Sequence, residues 1–186
     1  KNYFNKITSI FIRRIEYFSR IESPDKAPTG GKTVEQLERA MNEAHINLSN
    51  YVPEIMHKTS TTDEYGVFTT TKEAKSADFV RLKEKDLFSD SKSHTFKGIM
   101  FKAKELGLEQ CQSEDGPNYR LHYTNQPEGE YLRMGMKQIS DLGGRPRVFL
   151  LAHGGGGVWL NDNWAAPGSR WDSGDVFVFR LSVFRK

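Results

Sequence analysis

Hydrophobic residues recur every three or four positions in the first part of the chain and every second position in the last part. The first pattern predicts amphipathic helices over residues 33–47 and 95–106, and Thr33 with Gln36 forms a capping box at the start of the earlier one. From Tyr119 onward the spacing changes to alternation, with Gly, Pro, Asn and Asp between the segments. This change predicts an α+β fold in which two helices precede a twisted, mainly antiparallel sheet.

Five segments of the chain carry the apolar and β-branched residues typical of strands: YRLHY, EYLRMGMKQI, RVFLLAH, GVWL and DVFVFRLSVF. Earlier in the chain, residues 64–71 (EYGVFTTT) resemble a short strand, whereas the pattern over residues 78–88 is ambiguous. Residues 23–31 (SPDKAPTGG) are rich in Pro and Gly and predict a turn-rich linker. The strands are therefore expected after Tyr119, in one mixed or antiparallel sheet.

The chain of 186 residues is long enough for one domain with a substantial core. We predict that this domain covers residues 31–186 and follows an amphipathic segment and linker over residues 1–30. Apolar side chains of the segment are spaced at helical intervals: Phe4, Ile7, Phe11, Ile15 and Phe18. A basic membrane-surface helix is one interpretation, but Glu16 and Glu22 dilute the basic face and favour a helix docked on the domain. No apolar run approaches the length of a membrane span.

Charge and cysteine content restrict the partners and cofactors. The net charge is +3, and the basic residues are interspersed with acidic ones, so we predict no nucleic-acid partner. A nucleic-acid binder that uses the basic N-terminal segment is retained as a third hypothesis. Cys111 is the single cysteine, which excludes an internal disulfide and a cysteine-built zinc site. The five histidines lack metal-ligand spacing, and we predict neither a metal nor a cofactor.

The segment RVFLLAHGGGGVWL, residues 147–160, resembles the oxyanion-hole strand of an esterase. An α/β-hydrolase of that type also needs a later G-x-S-x-G nucleophile elbow, and none is present. Ser173 lacks the preceding glycine, and no histidine follows His153. We therefore predict that the glycines form a turn between two strands. An esterase-like hydrolase that uses His153 and the glycine run is the alternative function.

Lys, Glu, Gln and Met are absent between Ile139 and Arg185. These are ordinary surface residues, and about ten would be expected in that span at their frequency in the whole chain. Gly, Asn, Asp, Ser, Ala, Arg and all three tryptophans occur there instead. A tight antiparallel sheet accounts for part of the bias, but not for its extension into polar loop segments such as NDNWAAPGSRWDSGD.

Randomisation of adenines in AAC or AAT codons accounts for more of this bias. The residues reachable from those codons include Asn, Asp, Ser, Gly, Ala, Arg, His, Tyr and Val. Lys, Glu, Gln, Met and Trp are not reachable, because their codons end in a purine. Tryptophan codons contain no adenine, so tryptophans would remain fixed as a scaffold.

The last half of the chain resembles the variable proteins of diversity-generating retroelements, notably those of archaea and uncultivated small-genome bacteria. The landmarks that carry the resemblance are Gly116-Pro117, Arg120-Leu121, Tyr123, Gln126 to Glu130, Met136, Ile139, Asp141, Val148-Phe149, Trp159-Leu160, Trp164, Pro167, Trp171 and Phe179. The final residues, LSVFRK, extend beyond the usual end of the pattern.

The resemblance implies a C-type-lectin-like fold and a non-enzymatic protein that binds an unknown protein or surface ligand. Its variable C-terminal region would cover about residues 150–180 and would display side chains altered by the retroelement's reverse transcriptase. The side chains expected to contact ligand are His153, Asn161, Asp162, Asn163, Trp164, Ser169, Arg170, Asp172 and Asp175. All of them except Trp164 are expected to lie largely exposed on one contiguous surface.

Two further expectations concern the same region. Trp159, Trp164 and Trp171 are predicted to be at least partly buried and to hold the loop over residues 161–175. Residues 126–128 and 161–162 loosely resemble the calcium and sugar motifs of classical lectins. Their spacing and the offset of the second motif disfavour a calcium site.

Overall fold

The computed structural model describes residues 24–88, 90 and 92–181, and the predicted amphipathic segment over residues 1–23 lies outside them. The helices of this part of the chain are α1 (Val34–Glu43), α2 (Tyr51–His57), α3 (Glu84–Leu87), α4 (Phe96–Glu105) and α5 (Asp115–His122). The strands are β1 (Asp25–Thr29), β2 (Asn47–Leu48), β3 (Lys75–Lys83), β4 (His94–Thr95), β5 (Leu108–Glu109), β6 (Tyr131–Met134), β7 (Ile139–Ser140), β8 (Pro146–Gly154), β9 (Gly157–Trp164), β10 (Arg170–Trp171) and β11 (Val176–Leu181).

Within the described residues, the main sheet is curled and mainly antiparallel, in the order β1-β3-β11-β6-β8-β9-β2. The β11–β6 and β2–β9 pairs are parallel. Strand β5 pairs with β11, β7 pairs with β8, and β10 with β4 forms a separate two-stranded sheet. The predicted α+β class and the mainly antiparallel sheet are therefore confirmed. Within the described residues, no helix is long and apolar enough to cross a membrane.

The two predicted helices are confirmed as α1 and α4. Helix α1 begins after Thr33, whose side chain forms the predicted capping box with Gln36. Helix α4 begins after Thr95, whose hydroxyl accepts a hydrogen bond from the Gly98 N–H at 3.1 Å.

The expectation that strands occur only after Tyr119 is wrong, as is the linker predicted over residues 23–31. Strand β1 lies within that linker and pairs antiparallel with β3. Pro28 is tolerated because β1 is the edge strand of the sheet, where a residue without an N–H need not break a ladder. The ambiguous residues 78–88 contain the end of β3 and helix α3.

Two other predicted strands differ in the structure. YRLHY lies mostly in helix α5, which has Pro117 in its first turn, where the missing N–H costs little. Residues 64–71 form only an isolated bridge between Gly66 and Ile139. Alternation over five to eight residues is too short to separate a strand from a helical turn or an extended loop.

The core lies on both faces of the curled sheet. Helix α5 approaches so closely that a side chain on Gly116 would overlap the Phe149 ring of β8. The opposite face of β11 carries Phe177, which packs edge-on against Trp171 at 5.4 Å between ring centroids and also contacts Phe96 of α4. Both faces of the sheet therefore contribute buried aromatic side chains.

A fully buried carboxylate joins the start of α5 to two strands. Asp115 accepts two hydrogen bonds from the Arg180 guanidinium, at 2.7 and 2.6 Å, and one from the Thr29 hydroxyl at 2.6 Å. It also accepts the main-chain N–H of Gln112 at 2.7 Å. The negative charge is thus matched by a charge-assisted, bidentate arrangement.

We predict that Asp115→Ala lowers the free energy of unfolding by about 3–5 kcal/mol, because it leaves the Arg180 guanidinium buried without its partner. Glu43→Ala removes an exposed carboxylate and should change the free energy by less than about 0.5 kcal/mol. Urea unfolding of both variants measures the difference. Equal effects of the two substitutions would show that the Asp115 ion pair does not stabilise the fold.

Candidate functional site

The β8–β9 hairpin sets the geometry of the C-terminal region. Strand β8 ends at Gly154 and β9 begins at Gly157, so the glycine run forms the predicted turn. Gly156 and Gly157 have φ of +104° and +111°, a backbone conformation that favours glycine. The cross-strand register pairs Leu151 with Leu160 and Leu150 with Asn161.

Side chains of paired residues share one face of the sheet, and successive residues alternate between faces. The inner face of β9, on the side where α5 packs, therefore carries Leu160, Asp162 and Trp164. The outer face carries Trp159, Asn161 and Asn163. The strand predicted from the sequence ends at Leu160, so residues 161–164 were expected in a loop and not on two faces of a strand.

On the outer face, the strand register places residues of β6, β8 and β9 in rows. One row is Tyr131, Ala152 and Trp159, and the next is Arg133, Leu150 and Asn161. Tyr131 is exposed, and Leu150 is only half-buried although β8 is a central strand. Trp159 and Asn161 are half-buried, whereas Ala152 is buried and the Arg133 side chain is largely covered. We call these residues, together with Asn163, the outer face.

The loop over residues 165–175 continues from the outer face. The Arg133 guanidinium lies 4.9 Å from the Trp171 ring centroid and 3.0 Å from an Asp175 carboxylate oxygen. Arg133 therefore connects the outer face to this loop. Burial lowers the pKa of Arg133, while the Asp175 charge acts to raise it.

Main-chain hydrogen bonds hold the loop. Phe96 and Lys97 donate their N–H groups to the carbonyls of Ser169 and Pro167, at 2.8 and 3.2 Å. Glu84 donates its N–H to the Asp175 carbonyl at 2.8 Å. Because these bonds do not use the loop's own side chains, the side chains of Ser169, Arg170 and Asp172 can differ without removing them.

Three predicted ligand contacts do not lie on the outer face. The side chain of Asp162 is only 5% exposed, since it accepts a hydrogen bond from the Ser49 hydroxyl at 2.9 Å and pairs with Arg147 at 3.1 Å. Trp164 shares the inner face with Asp162. His153 also lies on that face, opposite Val158, and its Nδ1 is hydrogen-bonded to the Gln126 carbonyl.

The other six predicted contacts lie on or beside the outer face. Asn161, Asn163 and Ser169 are half-buried, and Arg170 and Asp172 are exposed. Asp175 is not a free carboxylate, because it pairs with Arg133 and accepts the Asp172 N–H at 2.7 Å. The expectation that all the predicted polar contacts are largely exposed on one surface is therefore wrong, and their role as ligand contacts remains a prediction.

The three tryptophans differ in burial. Trp171 is 6% exposed, whereas Trp159 is half-buried and Trp164 is 50% exposed. The prediction that all three hold the loop is correct for Trp171, whose ring packs on Phe177. It is wrong for Trp164, whose side chain is exposed and whose ring centroid lies 6.0 Å from the Arg147 guanidinium of β8.

Tyr131, Arg133 and Leu150 of the outer face were not among the contacts predicted from the sequence. Alternation in EYLRM does place Tyr131 and Arg133 on one side of a strand. Nothing in the sequence indicates that β6 lies beside β8, because the intervening residues 135–145 include a short strand and a glycine-rich turn. The outer face depends on that non-local pairing.

Two of the residues that loosely resemble calcium ligands, Gln126 and Asp162, are engaged within the protein. The Gln126 side chain accepts a hydrogen bond from Arg120 and donates to the carbonyls of Glu130 and Leu151, at 3.0 and 3.2 Å. Asp162 is paired with Arg147. Over residues 24–88, 90 and 92–181, no three His, Cys, Asp or Glu side chains are grouped as a metal site.

Asp141 is a second buried carboxylate, located where β7 leads into β8. It pairs with Arg145 at 2.7 Å and with Arg147 at 3.1 Å. Burial acts to raise the pKa of Asp141, but hydrogen bonds from the Arg145 main chain and from the Arg147 and Arg145 side chains hold it below its ordinary value. Arg147 in turn bridges Asp141 to Asp162 on β9.

Comparison with protein families, curated proteins and solved structures finds no match to this chain.

We predict that Trp171→Ala lowers the free energy of unfolding by about 3–5 kcal/mol, because it empties a buried aromatic site. Trp164→Ala should cost less than about 1 kcal/mol, since half of that side chain is already in solvent. Chemical unfolding of the two variants measures this difference. A large loss for Trp164→Ala would show that this ring supports the fold.

We also predict a pH-dependent contribution from Asp141. A carboxylate with a lowered native pKa stabilises the fold above its unfolded pKa of about 3.9 and loses that contribution as the pH falls through the native value. The difference in unfolding free energy between the wild type and Asp141→Asn should thus be largest above pH ~5 and shrink towards pH ~2. Urea unfolding across this range measures it, with Asp172→Asn as the exposed control. If the difference in unfolding free energy did not depend on pH, the lowered native pKa of Asp141 would be contradicted.

Proposed function

We propose that this chain is a non-enzymatic ligand-binding protein whose C-terminal sheet displays replaceable side chains on a fixed backbone. In this proposal it is a retroelement-diversified variable protein with a C-type-lectin-like domain. The curled, mainly antiparallel sheet with accompanying helices is compatible with such a domain. The absence of Lys, Glu, Gln and Met between Ile139 and Arg185 supports codon-restricted diversification.

The main support for the proposal is the difference in burial and hydrogen bonding between neighbouring residues of β9. Asn161 and Asn163 are half-buried, and their side chains form no hydrogen bond or ion pair with other described residues. Leu160 and Asp162, which alternate with them, are buried or ion-paired. A position that accepts many side chains must contribute little to stability, because burying an unpaired polar group costs roughly 1–3 kcal/mol.

The chemistry of the outer face suits the recognition of varied ligands. Tyr131 and Trp159 provide rigid aromatic surface, and Asn161 and Asn163 provide amides that both donate and accept hydrogen bonds. Paratopes of antibodies combine the same two kinds of side chain. Arg133 is already neutralised by Asp175, so the outer face does not demand a charged ligand.

We predict that replacing Asn161, Asn163, Ser169 and Asp172 together by Tyr, Ser, Gly and Arg changes the free energy of unfolding by less than about 1 kcal/mol. The physical reason is that these side chains make few contacts within the described chain. Asp162→Ser is the matched control on the same strand, and it should cost more than about 2 kcal/mol because it removes a buried partner of Arg147. Thermal and urea unfolding measure both.

A binding experiment complements the stability measurement. The full chain, randomised at the same four positions and displayed on yeast, is selected for binding to lysozyme as an arbitrary protein target. Enrichment of binders with retained stability supports a diversifiable surface. Widespread unfolding of the library members would overturn it. The flanking DNA provides the second test, since the proposal requires a near-copy of the 3′ coding region that differs only where the copy has adenine.

A further inference from the structure

Strand β9 is only partly covered on the side away from β8. Strand β2 pairs in parallel with Trp159 and Leu160 and then ends. Strand β9 continues for four more residues, to Trp164. In the part of the chain that the structure describes, no strand lies beside β9 from Asn161 to Trp164; we call this stretch the open edge.

The hydrogen bonds on either side establish which main-chain groups face the open edge. Leu160 directs its carbonyl away from β8, where it accepts the Ser49 N–H at 3.2 Å. Ala165 directs its N–H towards β8, to the Pro146 carbonyl at 3.0 Å. Since successive residues of a strand alternate in direction, Asp162 and Trp164 present their N–H and C=O groups at the open edge.

Strand β2 ends before these groups, and helix α2 lies next to β9 without pairing with it. After Ser49 the chain turns into α2, and the Ser49 carbonyl accepts the Val52 N–H at 3.1 Å instead of a donor from β9. Asp162 is half-buried as a residue although its side chain is only 5% exposed. The accessible surface of Asp162 is therefore mainly its main chain.

An exposed aromatic pair flanks the open edge. The Arg147 guanidinium lies 4.9 Å from the Tyr51 ring centroid and 6.0 Å from that of Trp164. Arg147 is held in place by ion pairs with Asp141 and Asp162, both at 3.1 Å. Tyr51 and Trp164 are 39% and 50% exposed. Trp, Tyr and Arg are the residues that contribute most to protein interfaces.

We propose that the open edge binds an extended peptide segment of a partner protein by strand addition. An extended polypeptide offers donors and acceptors at the two-residue repeat that Asp162 and Trp164 require. An apolar side chain of the peptide packs on the rings of Trp164 and Tyr51. Because the positive charge of Arg147 is already neutralised, that side chain need not be charged.

This site does not rest on the proposed function. It uses main-chain groups of β9, whereas the proposed ligand surface uses side chains of the outer face. Strand addition would therefore persist in variants that differ at Asn161 and Asn163. The peptide partner would be constant even where the outer-face ligand changes.

Amide hydrogen exchange of the full chain tests the open edge without a partner. The N–H groups of Asn161 and Asn163 face β8 and should exchange at least ~100-fold more slowly than those of Asp162 and Trp164. Equal protection of all four groups in a monomeric sample would overturn the proposal. Protection of Asp162 and Trp164 that increases with protein concentration would assign the edge to a second copy of this chain, which also overturns it.

Peptide binding tests whether an extended peptide binds at the open edge. A phage library of random eight-residue peptides is selected on the full chain, and the enriched peptides are measured against three variants. Trp164→Phe keeps an aromatic ring and the N–H, and should retain binding within ~3-fold. Trp164→Pro removes both without breaking a bond to β8, and should weaken binding at least ~10-fold. The third variant, with Asn161→Tyr and Asn163→Ser, should bind as the wild type does.

The outcomes separate this site from the outer face. Unfolding midpoints of all variants confirm that each remains folded. Enriched peptides should also protect the Asp162 and Trp164 amides from exchange. Failure to enrich any peptide, or binding that Trp164→Pro leaves unchanged, would overturn strand addition. Loss of binding in the Asn161 and Asn163 variant alone would place the peptides on the outer face, which supports the proposed function and contradicts this one.

Discussion

The ion pair between Asp115 and Arg180 is the constraint on which the C-terminal architecture depends. It fixes the first turn of α5 to β11, and the Thr29 hydroxyl adds β1 to the same carboxylate. With α5 fixed, Gly116 lies against Phe149 of β8. The last turn of α5 then places Arg120 beside Gln126, whose amide binds the Leu151 carbonyl. A single buried charge thus orients the helix that supports the β8–β9 hairpin.

The sequence predicted the elements whose patterns are long and local. Helices α1 and α4 have ten residues each and side-chain caps, and β8 and β11 are runs of mainly apolar residues. The prediction failed for elements whose conformation is determined by tertiary contacts. Strand β1 exists because β3 offers it an edge, and the first turn of α5 is held by the partners that Asp115 finds far away in the chain, Thr29 and Arg180. Secondary-structure propensity alone does not predict those contacts.

The candidate site was predicted in part for a similar reason. Once GVWL is extended to Trp164, alternation requires that Asn161 and Asn163 share one face and that Asp162 and Trp164 share the other. Because the predicted strand ended at Leu160, these residues were all expected on one loop surface. The neighbours contributed by β6, above all Tyr131 and Arg133, depend on a pairing between distant segments that no local pattern indicates.

In the two proposals, the outer face and the open edge of β9 have different roles, and both require that the register of the strand be fixed. A slip of one residue would move Asn161 into the core and Leu160 into solvent. The Gly154–Gly157 turn limits the slip at one end of the hairpin. At the other end, Arg147 binds both Asp141 and Asp162, which ties β9 to the residues preceding β8. The Asp162 carboxylate thus helps to set the register that keeps Asn161 and Asn163 on the outer face.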